Sequence, residues 1–213
     1  MNIRRLPVLF CALMAAGASA PPDPSGRYEV VAVRASSEVA GTLEAMRDPD
    51  LNALIGRRMT FGRRVAWYDG RSCTSGRTRP SEEGWPHLAE PNLSDLQLAP
   101  GATDHRLNRA MVIDCGGRAH GEITPFLMLD DRVLVMPSRN GVAYVVLERP
   151  LDRSQARAVE RGLAAAGFDP GPVDGRIDGR TRRAAALFAE ARGAAYAFQH
   201  GVFTENLVAA LTQ

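Results

Sequence analysis

Residues 125–148 decide the fold: Pro125-Phe126-Leu127-Met128-Leu129, then Asp130-Asp131, then Arg132-Val133-Leu134-Val135-Met136, then Pro137-Ser138-Arg139-Asn140-Gly141, then Val142-Ala143-Tyr144-Val145-Val146-Leu147-Glu148. Runs of β-branched and long apolar residues are divided by two turn signals, Asp130-Asp131 and Ser138 to Gly141. This pattern predicts three strands of an antiparallel meander.

Upstream, the same short-strand pattern recurs. Tyr28 to Val33 reads as a first strand, and Arg57 to Phe61 with Val65 to Tyr68 as a hairpin-like pair around Gly62. Asp69-Gly70 signals a turn, and Ala110 to Cys115 is a further strand ended by Gly116-Gly117. Between them, Ser37 to Leu54 is expected to hold a short helix with Leu43, Met46, Leu51 and Leu54 on its apolar face, and Pro-rich Arg77 to Asp104 is expected to be mostly loop. Six or more short strands must hide their edges by closure or a second layer. A small barrel is the expected solution.

The period changes after Arg149-Pro150. Asp152, followed three residues later by Gln155, has the spacing of a capping box and opens a helix running to about Ala166. Gly167 suits the left-handed position of a Schellman ending, with Phe168 touching Leu163. Pro170, Gly171 and Pro172 then forbid regular structure, and Gly175 supplies a tight turn. Asp178 is placed to cap a second helix running to about Arg192, with Ala184, Leu187, Phe188 and Ala191 inward; a third starts at Thr204 and buries Leu207, Val208 and Leu211. The fold class expected is therefore α+β: residues 1–20 a leader, 21–150 a β-rich domain, and 151–213 a three-helix domain.

The leader rests on Arg4 and Arg5, an apolar run from Leu6 to Ala16, and Ala18-Ser19-Ala20, the small-x-small pattern cleaved after Ala20. The run is too short to span a bilayer and Cys11 is not in a lipobox, so a periplasmic or secreted protein without a membrane anchor is expected. Composition is ordinary for a globular protein, with 45% hydrophobic and 23% charged residues in a chain of 213, which excludes disorder and collagen. All 26 basic residues are arginine; loss of Arg4 and Arg5 leaves 24 against 24 acids, a net charge of zero. That balance gives no broad electrostatic case for nucleic acid, and Arg57, Arg58, Arg63 and Arg64 read as a solvated face.

After cleavage Cys73 and Cys115 remain, an even pair suited to an oxidising compartment, and a disulfide is the expected state. Its rivals are a free thiol, with Cys115 as nucleophile and His120 as base, or a metal site, for which Cys115 and His120 supply too few ligands.

At Ala166-Gly167-Phe168-Asp169-Pro170-Gly171-Pro172-Val173-Asp174-Gly175-Arg176-Ile177, with Thr181 opening the next helix, Leu187-Phe188 near its end and Gly201-Val202 before the last one, the chain resembles the peptidoglycan-binding-like domain family. The resemblance covers Leu151 to Gln213 and implies a three-helix module with peptidoglycan as partner, its candidate contacts being Asp174, Gly175, Arg176, Arg180 and Thr181. Arg176, Arg180 and Arg182 are of the type that pairs with stem-peptide carboxylates. The chain departs from the family at Glu160, where Gln is usual, at Phe188-Ala189 in place of Phe-Gln, and at His200-Gly201 in place of Asp-Gly. The N-terminal segment is similar, more loosely, to small lipocalin-like barrels of the bacterial envelope, which fill their interior with side chains or hold one small apolar ligand.

Wall-active enzymes leave little trace. His120-Gly121 is not followed by the Ser-x-Gly-Cys of an L,D-transpeptidase, and His87, His105, His120 and His200 form no HExxH. Glu82, Glu83, Glu90, Asp95 and Glu122 leave a carboxylate pair open by motif. The reading at this point is a non-enzymatic exported envelope protein without cofactor or metal, whose helices associate with peptidoglycan and whose β domain meets an unidentified ligand or protein. The alternatives are an inhibitor or adaptor of lysozyme or wall hydrolases and, third, a wall-modifying enzyme using Cys115 and His120.

Overall fold

The computed structural model describes residues 23–35, 53–74, 76–81, 110–115, 123–138, 143–192 and 201–213. Nine strands form one antiparallel sheet: β1 Gly26–Ala35, β2 Arg58–Phe61, β3 Val65–Ala66, β4 Ser72–Cys73, β5 Arg77–Pro80, β6 Ala110–Asp114, β7 Ile123–Met128, β8 Val133–Pro137 and β9 Ala143–Glu148. Their order is β4-β3-β2-β1-β9-β8-β7-β6-β5, so the first long strand pairs with the last and the sheet curls into a half-barrel. Three helices follow, α1 Arg153–Ala165, α2 Gly179–Ala191 and α3 Glu205–Thr212.

Alternation explains the curl. Tyr28 and Val30, Met59 and Phe61, Met111 and Ile113, Phe126 and Met128, Leu134 and Met136, and Val145 and Leu147 are alternate residues of their strands and share one buried cluster on the concave face. Phe61 bridges it, with its ring 5.7 Å from Tyr28 and 5.3 Å from Phe126. Side chains thus fill the concave face.

Tyr68, buried at its edge, has its hydroxyl pKa pushed up to about 12, first by burial and then by the charge of Asp69. Because the folded value lies above the ordinary 10.0, this contribution to stability is complete below pH 10 and disappears as pH rises toward 12. An alkaline absorbance titration is expected to show a late tyrosinate step that moves down to the ordinary range in denaturant.

β1 changes face through a bulge between Val30 and Ala32. Val33 therefore packs with the concave cluster, whereas Val31 and Ala32 join Val133, Val135, Tyr144 and Val146 on the convex face, where Val202 covers them. This is why residues 143–148 are buried throughout and read as a continuous apolar run: the barrel interior takes one face and the C-terminal segment the other.

Three expectations need correction. Arg77–Pro80, expected in a loop, is edge strand β5 paired with β6; its mostly exposed, polar residues show no alternation because neither face is covered. In α2 the buried stripe is Thr181, Ala184, Ala185, Phe188 and Ala189, while Leu187 is half exposed and Ala191 faces solvent, so the apolar face lies about one residue from the expected one. The expected closed barrel is a curled sheet in which no ladder joins β4 to β5 among the described residues.

Instead a disulfide links Cys73, on edge strand β4, to Cys115, just beyond β6, with Cα atoms 5.8 Å apart. The expected bridge is therefore present, and it draws one edge of the sheet to the strand beside the other. A Cβ at Gly76 would lie 2.6 Å from the Cys73 Sγ and 2.8 Å from the Val65 Cγ2, so only glycine lets the chain cross here. The expected helix in residues 37–54 falls almost wholly outside the described residues, as do the leader and His120.

Helix ends follow the sequence closely. The Asp152 carboxylate accepts from Ser154 and Gln155 N–H at 2.8 Å, and the Gln155 side chain accepts from Asp152 N–H at 3.1 Å. Phe168 N–H donates to Leu163 C=O and Gly167 N–H to Ala164 C=O, the two bonds of a Schellman ending.

Candidate functional site

The site candidates lie in the loop between α1 and α2 and in the first turn of α2, and the loop is organised by Glu160, the position where the resembled family has Gln. Glu160, fully buried on α1, accepts from Gly175 N–H at 2.9 Å and from Arg176 N–H at 3.1 Å. Asp174 stays exposed, its carboxylate accepting from Arg176 N–H at 2.9 Å. Gly175 sits at φ +80°, and a Cβ there would meet the Arg153 Cγ and carbonyl oxygen at 2.6 and 2.7 Å, so both backbone angle and space require glycine. The Asp-Gly turn is thus clamped onto α1 from beneath.

Glu160→Ala is expected to lower stability by about 1–3 kcal/mol in chemical denaturation, because Gly175 N–H would be left without an acceptor. Glu160→Gln should cost less, since its amide oxygen can still accept from Gly175.

The remaining candidates divide by role. Thr181 is buried, its hydroxyl within hydrogen-bonding distance of Pro170 C=O at 3.2 Å and the Asp178 carboxylate at 3.1 Å. Arg180 pairs with Asp169 on the surface, and that hydrogen bond, before any other cause, holds the Asp169 pKa below its ordinary value. Arg176 points its side chain into solvent and has no partner for it among the described residues. Arg182 is engaged by an internal carboxylate: its guanidinium makes a two-pronged pair with Glu148 at 3.0 and 3.2 Å and donates to Gly201 C=O at 3.0 Å.

Glu148 and Arg182 belong to a polar seam joining the helices to the convex face. Glu148 is 2% exposed and also accepts from Phe203 N–H at 2.8 Å. Arg132 donates to Phe203 C=O at 3.1 Å, and Asp130 accepts from Glu205 N–H at 2.7 Å, serving the first turn of α3 from the β7–β8 turn. Burial holds the Arg132 pKa below its usual value, against the opposing pull of the Glu148 charge. The same carboxylate faces Glu29 across the β1–β9 ladder. Like charges opposed on neighbouring strands repel, and here each has its own cation, Arg182 for Glu148 and Arg58, at 3.5 Å, for Glu29.

Above this seam is a cleft of about 180 Å³ between sheet and helices, with Glu29 and Val31 on one wall, Gly175 and Ile177 of the Asp-Gly loop on another, and Glu148 and Arg182 among the polar groups lining it. It continues past Glu29 and Pro150 into a wider groove of about 530 Å³. Cys115, offered above as a nucleophile, is bonded to Cys73 and holds no free thiol. Among the described residues no group of His, Cys, Asp and Glu is arranged to hold a metal ion, and no helix is long and apolar enough to cross a membrane.

No protein family matches the chain, and no curated protein does. Among solved structures the chain aligns with SltB3 from Pseudomonas aeruginosa in complex with NAG-anhNAM-pentapeptide, at 22% identity and a TM-score of 0.28, over 65% of this chain and 44% of that one. SltB3 is a lytic transglycosylase, so the expectation that this protein is not an enzyme is withdrawn. At that TM-score the alignment carries no argument about fold or site, and the peptidoglycan-binding-like module stays a resemblance.

Proposed function

We propose that this is an exported cell-envelope protein that associates with peptidoglycan through the Asp-Gly loop of residues 151–213, with residues 21–150 as the β unit to which the helices are fixed. The observation that carries the reading is the construction of the loop. Glu160 and Thr181 hold its backbone from inside, while Asp174 and Arg176 stand exposed at its rim, beside an open cleft. A rigid loop that presents exposed polar side chains suits binding, because little ordering entropy is lost on contact. The leader pattern and the disulfide agree with export.

The test is retention of the purified protein on protein-free sacculi across a salt series. The expected result is binding that falls about tenfold in Asp174→Ala/Arg176→Ala, the size of a lost pair of charge-assisted contacts, with an unchanged circular dichroism spectrum. Passage of the unaltered protein without retention at low salt would overturn the reading.

A further inference from the structure

The wider groove next to the cleft has a different character. On the convex face of β1 and β2, Arg27 and Glu29 are alternate residues of one strand, and Glu29 stands directly opposite Arg58 on the other. These three line the groove with Arg149 and Pro150, which makes three guanidinium groups against one carboxylate. Glu29 pairs with Arg58 and Arg149 has the charge of Asp23 nearby, so Arg27 is the lining cation left without a carboxylate partner among the described residues. The other arginines of the helix–sheet junction differ: Arg182 is taken by Glu148, and Arg132 by the carbonyls of Phe203 and Arg149.

Arg149 is held in place. Its Nη2 donates to Ser25 C=O at 3.0 Å and to the Tyr28 hydroxyl at 2.8 Å, and its guanidinium lies 5.2 Å from the centre of the Tyr28 ring. Its buried Nε–H has no acceptor among the described residues. A fixed guanidinium loses little freedom when an anion arrives, and a planar carboxylate is the shape that such forks engage. The groove shares Glu29 and Pro150 with the cleft whose far wall is Gly175 and Ile177, so one extended ligand can lie along both.

We propose that this groove seats the terminal carboxylate of a peptidoglycan stem peptide, with Arg27 as its contact and Arg149 as the fixed positive wall. The inference rests on the peptidoglycan reading and names the part of the polymer recognised. It makes the ligand site composite: the loop of the helices at one end and the first two long strands of the sheet at the other.

The test is calorimetric titration of the purified protein with a stem tetrapeptide bearing a free terminal carboxylate, with the same peptide amidated at that terminus, and with an all-L peptide of equal charge. Binding of the free acid is expected to weaken about tenfold on amidation and to a similar degree in Arg27→Gln, a substitution at an exposed position that leaves the fold intact. Arg27→Lys should recover part of the loss, since it restores charge without the fork. Equal binding of acid and amide, equal binding of the all-L peptide, or indifference to Arg27→Gln would overturn the proposal. Sacculus retention separates the two readings: sacculi retained with no peptide bound sinks this site alone, whereas peptide bound with sacculi not retained supports the carboxylate groove and sinks wall anchoring.

Discussion

Glu148→Ala is expected to lower stability by about 3–5 kcal/mol, the range for removing one partner of a buried ion pair. The carboxylate is almost fully buried and its two oxygens serve three donors, two on Arg182 and the N–H of Phe203. Truncation leaves Arg182, itself about three-quarters buried, without its counter-charge and leaves the Phe203 amide unpaired. In a chain of this size each kcal/mol moves the thermal midpoint by about 2–4 °C, so a drop of at least 6 °C or so should be seen by circular dichroism. A loss under about 1 kcal/mol would mean that the helices are not fixed to the sheet through this pair.

The cross-strand arrangement sharpens the prediction. Arg182→Ala removes the cation that shields Glu148 from Glu29, its neighbour in the ladder. Two carboxylates then face each other on adjacent strands, and the variant should lose more than the hydrogen bonds alone account for. Glu29→Gln placed in the Arg182→Ala background is accordingly expected to recover stability, although by itself it removes only a half-exposed ion pair with Arg58. Failure of that rescue would show that repulsion across the ladder is unimportant.

What the sequence made legible follows the range of the forces involved. The capping box at Asp152, the Schellman ending at Gly167 and the caps at Asp178 and Thr204 are set by residues within a few positions of one another, and all appear where the pattern puts them. The meander from Phe126 to Glu148 was readable because its turns are short and its apolar runs long. Edge strand β5 was not: it is polar, uncovered and ordered by a partner, β6, some thirty residues away. The stripe of α2 was misjudged at Leu187 and Ala191 because an alanine-rich helix has an apolar surface wider than the part it buries.

The site was legible in its loop and illegible in its supports. Asp174 and Gly175 announce a turn, but Glu160, which the resemblance marks as a polar position suited to an outside contact, is turned inward by the fold beneath that turn. Glu148 likewise ends an apolar strand as a charged residue would at the surface, and only its contact with residues 34 and 55 positions away explains its burial. Arg182, read from its residue type as suited to an external carboxylate, is matched to an internal one. Arg27 gave no signal and Arg58 read as part of a solvated arginine face, since register rather than sequence distance brings the two to one face.

Reduction of the Cys73–Cys115 bridge is expected to have the other large effect, about 4 kcal/mol on the chain-entropy estimate for a bridge spanning 42 positions. Its structural consequence goes beyond the entropy of the unfolded chain. The sheet order ends in β4 on one side and β5 on the other, with no ladder between them among the described residues, and the bridge is what ties β4 to the β6 side. Without it the two-residue β4 keeps its short pairing to β3 and the Arg64–Ser72 hydrogen bond, and an unpaired edge is a template for association with another chain. Reduced protein and the Cys73→Ser/Cys115→Ser variant should therefore share one lowered midpoint in urea, a steeper denaturant dependence from the more expanded unfolded state, and a concentration-dependent tendency to associate. The local origin can be separated from the global one by hydrogen exchange: the amides of β3 and of Trp67, which donates to Arg71 C=O in the turn before β4, should lose protection first, while β8 and β9, buried on both faces, keep theirs. Uniform loss across the sheet would instead mean that the bridge acts only by restricting the unfolded chain.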